Sequence, residues 1–216
     1  MAENKYDDKE FFGRYSSMDR SVRGLEGAGE WHVLRSMMPS LAGKRVLDLG
    51  CGFGWHCKWA AEQGAAAVTG IDLSEKMIEG AKERNPHPGV TYFRSGIYEY
   101  DYPADNFDVV ISSLAFHYLE DIVKVYKLVN RTLSADGRFI FSVEHPVFTA
   151  QGTQDWVYGT DGKPGYWPGA NYFREGEREA VFLGCGVRKY HRTLETYIVG
   201  LLENGFRLDR IAEPQP

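Results

Sequence analysis

The chain has 216 residues, 43% hydrophobic and 25% charged, with a formal net charge of −5. That length suits one large domain or an unequal pair whose core stands without staples, and the apolar share excludes a largely disordered chain. No apolar run approaches the ~20 residues that a membrane span requires, and the acidic balance offers no broad phosphate-binding face. The first ten residues hold neither a basic stretch before an apolar core nor a Gly at position 2, so neither secretion nor myristoylation is expected. Cys51, Cys57 and Cys185 form no Cys-x-x-Cys pair. A cytoplasmic protein without disulfides or structural zinc is expected.

In chain order, 45–49 is a β-branched and Leu-rich run ending at Gly50, the pattern of a buried strand. Residues 54–63 then predict a helix closed by Gly64. A second strand spans 68–71. Ser74 caps a helix over 75–84, with Met77, Ile78 and Ala81 on one face. The run 85–89, Asn-Pro-His-Pro-Gly, breaks the chain before a third strand at 90–93. A fourth, over 107–113, is apolar on both faces, as a central parallel strand should be. Leu119, Ile122, Val123, Tyr126, Val129 and Leu133 fall at helical spacing, and Asp136-Gly137 turns into a fifth strand over 138–144. Residues 146–186 show no clean period but contain eight glycines and many aromatics. An irregular stretch of that length in a compact domain is usually functional. A helix over about 192–203 and a sixth strand over 206–212 follow. Alternating strands and helices at short spacing predict an α/β fold, Rossmann-like and doubly wound, with a mostly parallel sheet.

Asp48-Leu49-Gly50-Cys51-Gly52-Phe53-Gly54 joins the first strand to the first helix. Its glycines let the backbone turn sharply and lie against a ligand. A dinucleotide fingerprint wants a third glycine at 55, where Trp55 stands, and no Lys-Ser/Thr follows for a phosphate loop. Asp72, closing the second strand, is placed to accept hydrogen bonds from two vicinal ribose hydroxyls.

The runs 46–54, 70–74 (Gly-Ile-Asp-Leu-Ser) and 106–110 (Asn-Phe-Asp-Val-Val) resemble the successive motifs of class I S-adenosylmethionine-dependent methyltransferases. The nearest flavour is that of the ubiquinone/menaquinone- and biotin-pathway-like small-molecule enzymes. The resemblance implies S-adenosyl-L-methionine as cofactor and a sheet of order 3-2-1-4-5-7-6. The chain stops after the sixth strand, so a missing seventh strand is expected, through truncation or a partner that completes the edge. The resemblance further implies that the backbone of Gly50, Cys51, Gly52 and Gly54 holds the methionine part; Asp48 reads as linked to the ligand, the alternative being turn or N-cap chemistry. Asp72 would take the ribose, and Leu73 and Met77 the adenine face. The Ile97 N–H would meet the ring, and the Ser113 and Leu114 carbonyls the cofactor's amino group. Tyr15 and Arg20 belong to a segment that closes over the cofactor in many relatives. One departure stands after the third strand: the usual acidic residue for the adenine amino group is absent from Ser95-Gly96-Ile97-Tyr98. Ser95, Tyr98 or Glu99 would substitute, or the contact is missing.

Methyl transfer is an in-line displacement, for which the enzyme mainly supplies alignment and a dry site. An oxygen or nitrogen acceptor can also need a base with pKa near neutrality, which suits His. His117 and His145 follow the fourth and fifth strands at the ligand-bearing edge, each either a base or a hydrogen-bonded orienting residue, with Glu144 beside them. The other histidines, His56 included, read as solvated or as local contacts. The aromatic residues Trp31, Trp156, Trp167 and Tyr172 are candidate acceptor walls.

The expected organisation is an N-terminal helical cap (1–40), a cofactor-binding core (41–145), an aromatic and Gly-rich acceptor lid (146–190) and a last helix and strand (191–216). The expected function is methyl transfer to a small-molecule O or N acceptor by a monomer or homodimer, without nucleic acid or membrane as partner. The alternative is a non-catalytic module that binds S-adenosylmethionine or S-adenosylhomocysteine.

Overall fold

Five parallel strands form the sheet of the computed structural model, which describes residues 4–214. They are β1 (Arg45–Leu49), β2 (Ala67–Asp72), β3 (Val90–Arg94), β4 (Phe107–Ser113) and β5 (Leu133–Ser142), in the order β3-β2-β1-β4-β5. Neighbouring residues of the inner strands point into opposite apolar layers. Leu47, Leu49 and Val110 pack on one side, and Val46, Val109 and Ile111 on the other.

Helices α1 (Lys9–Ser16), α2 (Asp19–Val22) and α3 (Trp31–Met37) precede the sheet. Next come α4 (Trp55–Glu62), α5 (Glu75–Arg84) and α6 (Ile122–Thr132) between the strands, then α7 (Pro146–Thr149) and α8 (Leu194–Glu203). Asp8, Ser74, Asp121 and Thr193 each cap a helix by accepting a backbone N–H, as their short oxygen-bearing side chains allow.

The 146–186 region is more regular than its sequence suggests. It contains a short ladder, β6 (Val157–Tyr158) with β7 (Pro164–Tyr166), and most of a long hairpin, β8 (Gly176–Phe182) with β9 (Cys185–His191). On β9 the residues alternate cleanly, with Val187, Lys189 and His191 buried. The period is hidden because two of those three buried residues are polar. This hairpin packs on the N-terminal helices: Phe11, Ala180 and Val187 form one apolar cluster with Tyr6, Tyr15 and Phe182. The arm and the hairpin together roof the carboxyl ends of the strands.

The expected sixth strand is not formed. Among residues 206–212 only the Phe206 N–H meets backbone, at the Leu201 carbonyl in the last turn of α8, and the rest are fixed by side chains and join no ladder. Phe206 packs on Phe139 at 5.5 Å, the Arg207 and Arg138 guanidiniums take Asp209, and Arg210 reaches Ser36. In a 3-2-1-4-5-7-6 order the sixth strand pairs with the seventh and not the fifth. No strand among the described residues lies beside the outer edge of β5.

Candidate active site

At the carboxyl end of β1, Gly50, Gly52 and Gly54 all adopt positive φ (+73°, +52° and +76°). L side chains are disfavoured there, and a Cβ at Gly50 would also stand 2.7 Å from the Ala115 methyl. The loop is tied to β2: Gly50 and Cys51 donate to the Ile71 carbonyl, and Gly52 donates to Asp72 Oδ2 at 2.9 Å. Asp72 Oδ1 accepts from the Ser74 N–H at 2.9 Å. Desolvation pushes the Asp72 carboxyl up to about 6 against the pull of these N–H donors. Each oxygen keeps a lone pair, so a further pair of hydroxyl donors would complete the site.

Under the roof lies a cavity of about 510 Å³, well sized for a nucleoside-bearing ligand. Strand order sets its layout. Asp72, Leu73, Met77 and Ile97 line the part over β2 and β3, and Gly50, Gly52, Ser113 and Leu114 the part over β1 and β4. His117 and Glu144 line the part over β4 and β5, and Tyr15 and Arg20 close it from the arm. Leu114 holds a left-handed φ of +53°, local strain of the kind that collects at ligand sites. Beside the glycine loop, Arg20, Gly50, Gly52 and Ser113 also line a side chamber of about 60 Å³. There Arg20 pairs with Glu30 at 2.8 Å, and Ser113 Oγ donates to the same Glu30 oxygen at 3.1 Å. Burial works to raise the Glu30 carboxyl, but the Arg20 charge and the hydrogen bonds from Arg20 and Ser113 together hold it below its ordinary range.

Over β4 and β5 the chemistry is dominated by one buried network. Lys189, 2% exposed, donates to Glu144 Oε1 at 2.6 Å and to Gln154 Oε1 at 2.8 Å. Gln154 returns a bond to Glu144 Oε2 at 3.0 Å. Burial would raise the Glu144 carboxyl, yet the His117 ring, the Lys189 charge and these bonds keep it below its ordinary range. His117 Nε2 lies 3.9 Å from Glu144 Oε1, and its Nδ1 has no hydrogen-bond partner among the described residues. Burial pushes His117 down to about 4, so the ring is neutral at physiological pH. Tyr6 and Tyr118, hydroxyls 3.3 Å apart, and Tyr15, edge-on to Tyr6 at 5.0 Å, supply aromatic walls.

Eight residues expected at the site lie elsewhere. His145 caps α7 and pairs with Glu213 at 2.6 Å, outside the cavity. Trp31 packs edge-on against Trp59 and His56, a consequence of α3 lying over α4. His56 is accordingly half-buried, with its ring pushed down to about 4. Trp156 and Trp167 cluster with Phe148 on the outer side of the insertion. Tyr172 offers its hydroxyl to the Leu194 N–H, and its carbonyl meets the buried His191. Gly54 lies under the loop against the Tyr92 hydroxyl, and Cys51 lines only the side chamber. Asp48 is buried beneath the loop, where Cys57 Sγ approaches it at 3.3 Å.

Burial pushes Asp48 up to about 7, against 3.8 for a free carboxyl. A raised carboxyl pKa favours the folded state fully below about pH 4 and loses that contribution as pH rises through about 7. Asp48→Asn, which cannot ionise, is therefore expected to exceed the native chain in stability by roughly 1–3 kcal/mol at pH 8. The gain should vanish near pH 4. Paired urea titrations at the two pH values measure both.

The residues missed by sequence reasoning, Tyr6, Tyr118, Phe182, Val187 and Lys189, mostly belong to the roof. Only the β9 alternation could have flagged Val187 and Lys189.

Residues 47–141 match the family model described as a methyltransferase domain. A crystal structure from Listeria monocytogenes, described as an S-adenosylmethionine-dependent methyltransferase, is 51% identical, with a TM-score of 0.84 over 88% of this chain and 89% of that one. Another, from Mesorhizobium loti and described in the same way, is 43% identical, with a TM-score of 0.82 over 89% and 88%. An uncharacterized protein of Haemophilus influenzae is 35% identical over 97% of this chain and 85% of its own length. With the glycine loop, the Asp72 carboxylate and the 3-2-1-4-5 sheet, these likenesses show that the chain belongs to the class I S-adenosylmethionine-dependent methyltransferases.

Proposed function

We propose that this methyltransferase acts on an oxygen or nitrogen of an uncharged small molecule seated between His117 and the tyrosine walls. The carrying observation is a single cavity that runs from Asp72 past the glycine loop to His117 and Glu144, where the Glu144 carboxylate is already paired with Lys189. A charge buried on the acceptor beside that pair would find no free counter-charge in either of its members.

The residues fit the cofactor. Asp72 would bind the ribose hydroxyls, Leu73 and Met77 the adenine faces, and the Ile97 N–H the ring edge. Arg20 would meet the carboxylate of the amino-acid part, and the Ser113 and Leu114 carbonyls its ammonium. When bound, S-adenosylmethionine supplies a methyl group on a positively charged sulfur. Glu30 fixes the Arg20 fork. Tyr6, Tyr15 and Tyr118 exclude water and present ring faces that tolerate the positive charge. Lys189 and Gln154 hold Glu144 still, and Glu144 faces His117. The roof from 4 to 22 and β8–β9 serves as the acceptor lid over the 41–145 core, the outer tryptophans standing apart from it. The acidic surface favours a small acceptor over nucleic acid, in a cytoplasmic setting. No helix among the described residues is long and apolar enough to cross a membrane.

His117 is assigned as the residue that accepts a hydrogen bond from the acceptor and orients it, since a ring pushed down to about 4 is a weak base. His117→Phe is expected to lower kcat roughly tenfold or more with little change in S-adenosylhomocysteine affinity. The native pH–rate profile should show no histidine limb between pH 6 and 8. Acceptor panels scored by S-adenosylhomocysteine release test both points. An acid limb near pH 6.5 that vanishes in His117→Phe would instead make His117 a base.

A further inference from the structure

His117 reaches the acceptor end on one short turn, and such a turn does not by itself hold a buried ring in place. Phe116–Tyr118 form that turn just after β4, and Leu119 and Glu120 carry the chain on towards α6. His117, Tyr118, Leu119 and Glu120 all line the cavity. On the cofactor side the segment is braced at Asp121, whose N–H donates to the Tyr98 hydroxyl at 2.7 Å. On the roof side the brace is Arg192, the residue that follows β9. Its guanidinium donates to the Leu119 carbonyl and, at 2.7 Å, to the Glu120 carbonyl, with the Tyr190 carbonyl at 3.4 Å. The rings of Tyr190 and Tyr197 flank it, each centred 5.9 Å away. Arg192 is 6% exposed and joins no salt bridge among the described residues. A buried cation without a counter-charge is costly, and an apolar residue of similar volume would serve packing alone better. A planar fork that spans two successive carbonyls is what arginine supplies and lysine does not.

We propose that Arg192 is a positioning residue for the acceptor end, clamping the turn that carries His117 and Tyr118 to the end of β9. The proposal rests on His117 as the residue that orients the acceptor. Turnover in His117→Phe tests that reading, whereas the titration of the His117 ring tests the clamp. Burial is the main cause that pushes this ring down to about 4. Glu144 after β5 opposes it, while Lys189 on β9, Arg192 and Arg20 of the arm reinforce it, and Tyr118 lies beside the ring on the same turn. A turn released from its clamp wets the ring, and the midpoint rises.

The full chain, with isotopically labelled histidine rings, is titrated by NMR, and His117→Phe identifies the His117 signal. Arg192→Met, which keeps the stem and loses the donors, should raise the His117 midpoint by about one pH unit or more, and Arg192→Lys, which keeps the charge but not the fork, by about half of that. The His56 ring, also pushed down to about 4 but packed on Trp31, should keep its midpoint in both variants. An unchanged His117 midpoint in Arg192→Met overturns the assignment, however much stability is lost. So does a rise in Arg192→Met with none in Arg192→Lys, which would make Arg192 a nearby charge and no clamp. An equal rise at His56 would mark general loosening and overturn it too. Should Arg192→Met fail to fold, the Arg192→Lys midpoint decides alone: a rise confined to His117 supports the clamp, and no rise overturns it.

Discussion

Asp72→Ala is expected to weaken S-adenosylhomocysteine binding roughly a hundredfold. Two hydroxyl bonds to a carboxylate are lost, each worth about 1.5 kcal/mol or better. The same oxygens hold the Gly52 and Ser74 N–H groups, so the glycine loop is loosened as well. Asp72→Asn keeps one acceptor and should lie between alanine and the native residue. Ligand donors favour the ionised carboxylate, which forms as pH rises through about 6 in the free protein. Native affinity should therefore climb from pH 5 to pH 7, and the Asn variant should lack that rise. Calorimetry across this range measures both effects, and an unchanged affinity in Asp72→Ala removes the ribose assignment.

The second large effect is on stability. Lys189→Met should cost about 3–5 kcal/mol, because the Glu144 carboxylate is then left desolvated without its cation. The double variant Lys189→Met/Glu144→Gln should recover much of that loss, since a neutral amide can still bond Gln154. Urea unfolding of the three variants measures the coupling, and simple additivity of the two single substitutions would contradict the pairing. The loss would also be felt at His117, because Lys189 joins the β9 hairpin to the residues after β5.

The sheet was legible because its strands obey simple rules: β1 and β4 are apolar on both faces, and glycines or Asn-Pro punctuate the connections. Asp72, Gly50, Gly52 and His117, which line the cavity, could be placed at strand ends for the same reason, and Ser113 through the family resemblance. Their positions follow from where a strand ends. The roof was not. On β9 the buried face carries Lys189 and His191, whose polar atoms are satisfied by Glu144, Gln154, Thr149 and the Tyr172 carbonyl, partners distant in sequence. Aromatic content misled for a related reason. Trp156 and Trp167 satisfy one another and Phe148, while the tyrosines that wall the cavity sit singly at positions 6, 15 and 118. Residues 206–212 show the remaining limit, since a strand-like segment forms a strand only when a neighbour offers backbone to pair with.

Asp7 is one more point of attachment for the arm: its carboxylate accepts from Ser74 Oγ at 2.6 Å and from the Lys76 N–H at 3.1 Å, at the start of α5. On the opposite side Arg14 donates to the Leu183 carbonyl at the tip of the β8–β9 turn. The roof is thus pinned to the sheet domain by side chains and shares none of its ladder hydrogen bonds. Its length and composition can be rewritten without a shift of register in any core strand. On the proposed reading, the strand ends grip the methyl donor and the pinned cover faces the acceptor.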